Sequence, residues 1–221
     1  MSQCKWFGFV PVMVGVFVLL QIGPVWPRCG RRGAVARERA QAHQTVEPVA
    51  TLVGPERPSR PCLVIIDMQE GFLAGLPSDH RDKLVASHVS CVDTARQRGI
   101  PIIATTFAGD GEMEPRIRAA LQGSEFTEIV KQQNDGFRET SLLADLQALE
   151  VDGVILAGVN ASGCVLETAG SAIFGGFAVM VSDDLMVDTL PFPYDTKPWY
   201  TQNCHVYDDR EALWSALSME G

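Results

Sequence analysis

Uninterrupted apolar runs alternate with segments of helical periodicity along most of the chain. The runs, such as 63–66 and 153–157, are rich in β-branched residues, which is typical of strands buried in a parallel sheet. Between them, apolar residues recur every three or four positions, which predicts amphipathic helices. The predicted strands are 63–67, 100–105, 127–131, 153–158, 178–182 and 204–207, and the predicted helices are 79–98, 115–121, 140–150, 164–174 and 209–217. This alternation predicts one α/β domain, over residues 61–221, built on a doubly wound parallel sheet.

The segment 185–203 follows neither period. It contains Pro191, Pro193 and Pro198 together with several aromatic residues. We expect an irregular loop that covers an edge of the sheet. Two functional roles suit such a loop, lining a pocket or packing against a second subunit, and we favour the second.

Three of the predicted strands lead to a chemically reactive side chain. Asp67 ends the first strand, Lys131 ends the third, and Cys164 follows the fourth after a turn of small residues. Because the carboxyl ends of parallel strands lie along one edge of a sheet, we expect these side chains to meet there. Taken singly, each has an ordinary structural explanation: a helix-capping Asp, a solvated Lys and an inert buried thiol.

Taken together, the three groups form a coherent nucleophilic site. Cys164 begins a predicted helix, where free N–H groups and a nearby Lys131 favour an anion, so we expect a thiol biased toward thiolate and quickly alkylated. Asp67 is the expected general base and then general acid. Backbone N–H groups of the turn are suited to stabilise the oxyanion of a tetrahedral intermediate.

Three short motifs make the sequence resemble the isochorismatase-like cysteine hydrolases over roughly 61–217. That family includes nicotinamidases, N-carbamoylsarcosine amidases, ureidoacrylate amidohydrolases and isochorismatases. The motifs occur in order and at fitting separations, although each is weak by itself. They are Val64-Ile65-Ile66-Asp67-Met68-Gln69 with Phe72, then Val130-Lys131 with Phe137 and Thr140, then Cys164-Val165 with Thr168-Ala169.

The resemblance implies a fold and a catalytic triad. The fold is a three-layer α/β/α arrangement around a Rossmann-like sheet of six parallel strands. The triad maps to Asp67, Lys131 and Cys164. The motif residues Gln69, Phe72 and Phe137 are candidates for lining the substrate pocket.

The resemblance also implies a cis peptide bond a few residues before the nucleophile. Here that bond maps to Val159–Asn160. By the same analogy, the backbone amides of Asn160 and Cys164 form the oxyanion hole.

The histidine positions argue against a metal site and therefore against a nicotinamidase. Nicotinamidases of this family bind a metal through an Asp-x-His element and further histidines, whereas the four histidines of this chain are not at ligand spacing: His43, His80, His88 and His205. His88 falls on the apolar stripe of a predicted helix, which favours a core position. No glycine-rich phosphate fingerprint follows the first strand, so we expect no dinucleotide and no other cofactor.

The retained cysteine favours acyl transfer, that is, hydrolysis of an amide, carbamoyl or ureido C–N bond of a small molecule. Two alternatives stay open. One is a vinyl ether hydrolase of the isochorismatase type, although true isochorismatases lack the cysteine that this chain retains. The other is a catalytically idle binding or scaffold protein of the same fold. Members of the family usually oligomerise, so a homo-oligomer is expected.

Charge divides the chain into two parts. Residues 1–60 carry eight Lys/Arg against three Asp/Glu, and the remainder carries ten against twenty-four. Such an acidic domain makes nucleic acid an improbable partner.

The first 27 residues are apolar and uncharged apart from Lys5. Residues 6–26 are long enough to span or associate with a membrane, although Pro11 and Pro24 interrupt them. Arginines follow in the segment 28–60, which we interpret as an unstructured linker, and their charge would keep the catalytic domain cytoplasmic. A signal sequence and a misplaced translation start are the alternatives. The six cysteines do not form a disulfide framework, which agrees with a reducing compartment.

Overall fold

The computed structural model describes residues 56–123, 125–191 and 195–218. The strands are β1 Pro61–Ile66, β2 Ile102–Phe107, β3 Phe126–Lys131, β4 Gly153–Val159, β5 Ala178–Ser182, β6 Met186–Val187 and β7 His205–Tyr207. The helices are α1 Glu70–Leu73, α2 Ser78–Gln97, α3 Pro115–Leu121, α4 Leu142–Ala148, α5 Cys164–Phe174, α6 Lys197–Asn203 and α7 Arg210–Ser218.

All strand pairs are parallel, in the order β3-β2-β1-β4-β5-β7, and the two-residue β6 adds to the end of β4. Alternate residues of β1 point to opposite faces, as the pleat of a strand requires. Leu63 and Ile65 enter a core shared with α2, α3 and α7, while Val64 and Ile66 enter a second core shared with α4 and α5. The sheet is thus the middle of three layers, and the predicted α/β/α fold is confirmed.

The region 185–203 differs from the expected irregular loop. Met186 and Val187 extend the sheet as β6. Residues Lys197–Asn203 form the helix α6, in which the side chain of Tyr200 is buried. Pro198 occupies the first turn of α6, where a missing N–H costs no helical hydrogen bond. The proline that suggested a loop is therefore part of a helix start.

The last residues of the predicted linker are anchored to the domain. The Asp152 carboxylate accepts hydrogen bonds from the backbone N–H groups of Ser59 and Arg60, at 3.0 and 2.8 Å, and from the Ser59 hydroxyl at 2.6 Å. The apolar segment 1–27, the membrane association proposed for 6–26 and most of the linker lie outside the described residues. Within the described ranges, no helix combines the length and the apolar character needed to cross a bilayer.

Candidate active site

The ends of β1, β3 and β4 bring the three predicted site residues to one edge of the sheet. Asp67 directly follows β1, Lys131 is the last residue of β3, and Cys164 is the first residue of α5, after the turn that leaves β4. Lys131 Nζ lies 2.7 Å from Asp67 Oδ2, and neither side chain is exposed to solvent. The structure thus brings the Asp67 carboxylate and the Lys131 ammonium together at this edge, with Cys164 at the start of α5.

Asp67 adopts a left-handed backbone conformation with φ of +53°. Aspartate tolerates this region better than most residues, and such outliers concentrate at functional sites. Its N–H donates to the carbonyl of Thr105 at 3.0 Å, which continues the pairing of β1 with β2 by one residue. The backbone thus turns sharply while the carboxylate stays at the sheet edge.

Lys131 is held by more than its carboxylate partner. Its ammonium donates to the backbone carbonyls of Gln133 and Asn134 at 3.0 and 3.2 Å, and it lies 4.6 Å from the centre of the Phe107 ring. A buried charge is costly unless its hydrogen bonds are made, and these contacts supply them. The side chain is therefore fixed in place, with its charge directed at Asp67.

The electrostatics of Cys164 differ from the predicted thiolate. Burial raises the pKa of its thiol to about 12, the Asp67 carboxylate raises it as well, and Lys131 opposes both. Only 4 % of the residue is exposed, so a thiolate would lose most of its hydration. The expectation of a resting thiolate is wrong, because desolvation and Asp67 outweigh Lys131.

Thiolate character also does not distinguish Cys164 from its neighbours in the fold. Burial raises the pKa of Cys62, Cys91 and Cys204 to about 12 too. What separates Cys164 from them is its place beside Asp67 and Lys131, which both act on the pKa of its thiol. Its reactivity would thus come from a base, and not from a depressed pKa.

Asp67 is tuned by opposing influences. Burial raises the pKa of its carboxyl, whereas the charge and hydrogen bond of Lys131 and the hydrogen bond with Cys164 lower it, and the charge of Asp110 raises it again. The net direction is upward, so the carboxylate is a stronger base than an ordinary aspartate. Such a group is suited to take a proton from the thiol and return it.

The turn before Cys164 contains the cis peptide bond that the resemblance implies, between Val159 and Asn160. The Asn160 carbonyl accepts from the N–H groups of Gly163 and Val165 at 3.0 and 3.1 Å. Within the part of the chain that the structure describes, neither the N–H of Asn160 nor that of Cys164 donates a hydrogen bond to the protein. These are the two amides expected to form the oxyanion hole.

The chain from β6 to α6 contacts this turn at Asn160, Ala161 and Ser162, a role that the sequence did not reveal. Ala161 donates its N–H to the Val187 carbonyl at 3.1 Å and accepts from the Tyr200 hydroxyl at 2.6 Å. Thr189 donates to the Asn160 side chain, and Asp188 accepts from Ser162. These contacts place the segment beside the turn that precedes Cys164, and its packing against a second subunit stays a prediction.

The loop between β3 and α4 is docked onto α5 beside Cys164. Asn134 Nδ2 donates to Glu167 at 2.7 Å, the Gly136 N–H donates to the Thr168 hydroxyl at 2.9 Å, and Ser171 donates to Asp135 at 2.6 Å. Asn134 Oδ1 lies 3.7 Å from Cys164 Sγ as a hydrogen-bond acceptor. Asn134 was missed by sequence reasoning, because nothing in its surroundings marks it out.

A sequence model of the isochorismatase domain matches residues 61–198. The chain belongs to the isochorismatase family. No curated protein matches the chain in a sequence comparison.

Solved structures share the isochorismatase-family fold at low sequence identity. The N-carbamoylsarcosine amidase of Thermoplasma acidophilum is 23 % identical over 66 % of this chain and 95 % of its own, with a TM-score of 0.58. The nicotinamidase of Staphylococcus aureus is 19 % identical over 67 % of this chain and 99 % of its own, with a TM-score of 0.57. The YcaC protein of Escherichia coli, an octameric hydrolase of unknown specificity, is 21 % identical over 73 % of this chain and 79 % of its own, with a TM-score of 0.60.

The three pocket candidates occupy different places in this isochorismatase-family domain. Gln69 is buried, and its amide is used by the loop after β2: Nε2 donates to the carbonyls of Phe107 and Gly111 at 3.0 and 2.7 Å, and Oε1 accepts from the Phe107 N–H at 2.6 Å. Its structural task is to hold that loop. Phe72 packs edge-on against Phe107, with ring centres 6.2 Å apart, and so supports the ring that the Lys131 ammonium contacts.

The third candidate, Phe137, is half-buried and packs against the core that includes Cys164. Its ring lies 6.4 Å from that of Phe177. The backbone N–H of Phe137 donates to the Asp135 carboxylate at 2.9 Å, which ties it to the loop above α5. Of the three, Phe137 lies in the same loop as Asn134 and beside the nucleophile helix.

The described histidines lie away from the triad. His88 is buried in α2, where its Nδ1 lies 2.8 Å from the Leu84 carbonyl, as its predicted core position requires. His80 is exposed beside Asp79. Among the described residues, no group of three or more His, Cys, Asp or Glu side chains is arranged to hold a metal ion.

Proposed function

We propose that this isochorismatase-family protein is a cysteine-dependent hydrolase that cleaves an amide, carbamoyl or ureido C–N bond of a small molecule through a thioester acyl-enzyme. The observation that carries the proposal is that the Asp67 carboxylate, ion-paired with the Lys131 ammonium in a site closed to solvent, also acts on the pKa of the Cys164 thiol. The nucleophile, the base and the fixed positive charge are thus close together before substrate binds.

In the first half-reaction, Cys164 Sγ bonds to the substrate carbonyl carbon as the thiol proton passes to the Asp67 carboxylate. The π electrons of the carbonyl move to its oxygen, and the resulting oxyanion accepts hydrogen bonds from the free N–H groups of Asn160 and Cys164. Collapse of this intermediate re-forms the carbonyl and breaks the C–N bond. The nitrogen leaves with the proton from Asp67, and the acyl group remains on sulfur.

In the second half-reaction, water attacks the thioester carbonyl and gives a proton to Asp67. The oxyanion collapses, the C–S bond breaks and the sulfur recovers the proton from Asp67, which releases the acid product. Lys131 keeps its charge throughout. Its role is to hold the carboxylate in place and to offset the cost of burying it in the ionised state.

Two other functions make different demands on the same residues. Vinyl ether hydrolysis would use Asp67 as an acid and would not need the thiol. A binding or scaffold protein would need none of the three groups, whereas here Lys131 and Asp67 form a buried ion pair and both act on the pKa of the Cys164 thiol.

The deciding experiment is hydrolysis by the full chain of a panel of amides, ureido acids, carbamoyl amines and isochorismate. Cys164→Ser keeps the shape but raises the nucleophile's pKa by several units, so both Cys164→Ser and Cys164→Ala should lose nearly all turnover on an accepted substrate. Retained turnover in both variants, with loss only in Asp67→Asn, would instead establish ether hydrolysis. An inactive wild type that still binds panel compounds would establish a binding protein.

We propose further that the reaction is independent of metal. The described side chains offer no cluster of metal ligands, and in each proposed proton transfer Asp67 accepts or donates the proton. Dialysis against EDTA should leave kcat unchanged. Activity that is lost on chelation and restored by Zn²⁺ or Mn²⁺ would overturn this part of the proposal.

We also propose a homo-oligomer. The octameric YcaC protein supports this, as does Phe174 at the end of α5, whose side chain is 96 % exposed in the single chain. Multi-angle light scattering should give a mass above 24.1 kDa that falls in Phe174→Ser. A monomeric wild type would contradict the proposal.

A further inference from the structure

The catalytic turn 160–163 consists of small or short polar residues, Asn160, Ala161, Ser162 and Gly163. Its internal hydrogen bonds run from Gly163 and Val165 to the Asn160 carbonyl. They close the turn, but they do not fix its orientation relative to the sheet. The direction of the free N–H groups of Asn160 and Cys164 therefore depends on contacts from outside the turn.

Two consecutive residues after β6 supply four such contacts. Thr189 donates from its backbone N–H and from its hydroxyl to Asn160 Oδ1, at 2.7 and 2.6 Å. Asp188 accepts the Ser162 N–H on Oδ1 at 2.7 Å and the Ser162 hydroxyl on Oδ2 at 2.8 Å. The first pair fixes the residue that carries one free amide, and the second pair fixes the chain between the two amides.

We propose that Thr189 and Asp188 are positioning residues of the oxyanion hole, which hold the two free amides in the direction that a developing oxyanion needs. The inference rests on the proposed function, because it assumes that an oxyanion forms at this turn. Each of the four hydrogen bonds ends on Asn160 or Ser162. Weakening them should therefore slow steps that create an oxyanion more than steps that need only the thiol.

Two chemical probes separate these kinds of step. 4-Nitrophenyl acetate acylates a thiol through a tetrahedral oxyanion and releases 4-nitrophenolate. Iodoacetamide alkylates the same sulfur by displacing iodide from a saturated carbon, without an oxyanion. The full chain is used, and peptide mapping restricts both measurements to Cys164.

Thr189→Val removes the hydroxyl at nearly constant volume and keeps the backbone N–H. We expect it to lower the acylation rate constant by about tenfold or more, with little change in KM, because small misplacements of oxyanion donors are costly. Alkylation of Cys164 by iodoacetamide should stay within about twofold of wild type, since Asp67 and Lys131 are untouched. Thr189→Ser restores the hydroxyl and should restore acylation.

Thr201→Val is the matched control, because its hydroxyl donates to the Lys197 carbonyl within α6 and not to the turn. Asp188→Asn is the second variant: it keeps an acceptor for the Ser162 N–H and should lower acylation selectively as well. Wild-type acylation in Thr189→Val, or an equal fall in acylation and alkylation, would overturn the positioning role. Failure of the proposed function would give a different result. Either Cys164→Ala would release 4-nitrophenolate as fast as wild type, or wild type would release it without any acetyl label on Cys164.

Discussion

Lys131 and Asp67 form an ion pair that joins two strands that are not neighbours in the sheet. Their atoms Nζ and Oδ2 are 2.7 Å apart, although β2 lies between β1 and β3. The pair passes over the end of β2, where the ring of Phe107 lies beneath the ammonium. One contact thus spans the carboxyl ends of three strands and orients the Asp67 carboxylate.

Breaking this pair from one side should affect both stability and activity. Lys131→Met leaves the buried Asp67 carboxylate without its cation, and such a change costs about 3–5 kcal/mol of unfolding free energy. Turnover should fall to background, because the pKa of Asp67 would rise further. Urea denaturation and steady-state rates check both effects.

Lys197→Met provides the control for that measurement. Lys197 forms an equally short ion pair with Asp183, at 2.6 Å, but on an exposed surface. Its loss should leave the urea midpoint nearly unchanged. Similar destabilisation in the two variants would contradict the importance of burial for the Lys131 pair.

The pH dependence of acylation should report Asp67 and not a free thiolate. As the solution is acidified, the acylation rate should fall when Asp67 becomes protonated. Because burial raises the pKa of Asp67, this fall should begin at a higher pH than it would for an ordinary aspartate. Because Asp67 takes the thiol proton in the acylation step of the proposed mechanism, the rate should not climb between neutral pH and pH 9, although the pKa of Cys164 is raised to about 12. A profile that rises tenfold per pH unit through this range would show that thiolate is the limiting species.

His88 should make folding stability sensitive to mild acid. Burial lowers the pKa of its imidazole from 6.5 to about 4, against the opposing influences of the Leu84 carbonyl and Asp184. Because the folded-state pKa is depressed, the stabilisation is fully present above pH 6.5 and is lost as the pH falls toward 4, a change of about 3 kcal/mol.

The comparison with His88→Leu isolates this contribution, since other titrating groups, Asp67 among them, are common to both proteins. Urea unfolding at pH 7 and pH 4 should show a smaller acid loss in His88→Leu than in wild type. An identical acid loss in the two proteins would exclude His88 as its source.

Gly158 is required where β4 meets the end of β1. Its φ is +134°, and a Cβ added there would lie 2.0 Å from the Ile66 carbonyl oxygen. Gly158→Ala should therefore destabilise the fold by about 3 kcal/mol or more, through backbone strain and displacement of β1. Thermal unfolding measures the loss.

Gly170→Ala is the matched control and should have the opposite sign. A Cβ on Gly170 would meet no heavy atom of the described residues within 4 Å, its own helix aside. Alanine in a helix interior is favoured over glycine by about 0.5–1 kcal/mol, so α5 should become more stable. Destabilisation by Gly170→Ala would show that α5 does not tolerate small additions of volume at all.

The convergence of Asp67, Lys131 and Cys164 could be predicted from the sequence because each residue ends or follows a recognisable strand. β1 and β4 are apolar runs with clear ends, β3 mixes apolar and polar residues and ends in a lysine, and parallel strands place their carboxyl ends together. Asp67 and Lys131 thus owe their proximity to topology, whereas Cys164 also depends on the turn between β4 and α5. Their protonation could not be predicted in the same way, since burial of the sulfur depends on packing from several elements.

The residues that hold the catalytic turn could not be found from the sequence. Asp188 and Thr189 follow the two-residue strand β6, which is too short to show a period. Asn134 reaches the thiol only because its loop is docked onto α5 by three separate hydrogen bonds. Such contacts between segments distant in the chain leave no local pattern.

The contacts between the turn 160–163 and the chain from β6 to α6 also bear on the order of assembly during translation. The ribosome delivers strands β1 to β5 before it delivers Thr189 and Tyr200, so a nascent chain can pair these strands while the turn still lacks its outside contacts. If the turn forms the oxyanion hole that we propose, the nucleophile belongs to an incomplete catalyst until the last third of the domain has emerged. Strand β7 follows later still, so the turn and the sheet are completed together near the end of synthesis.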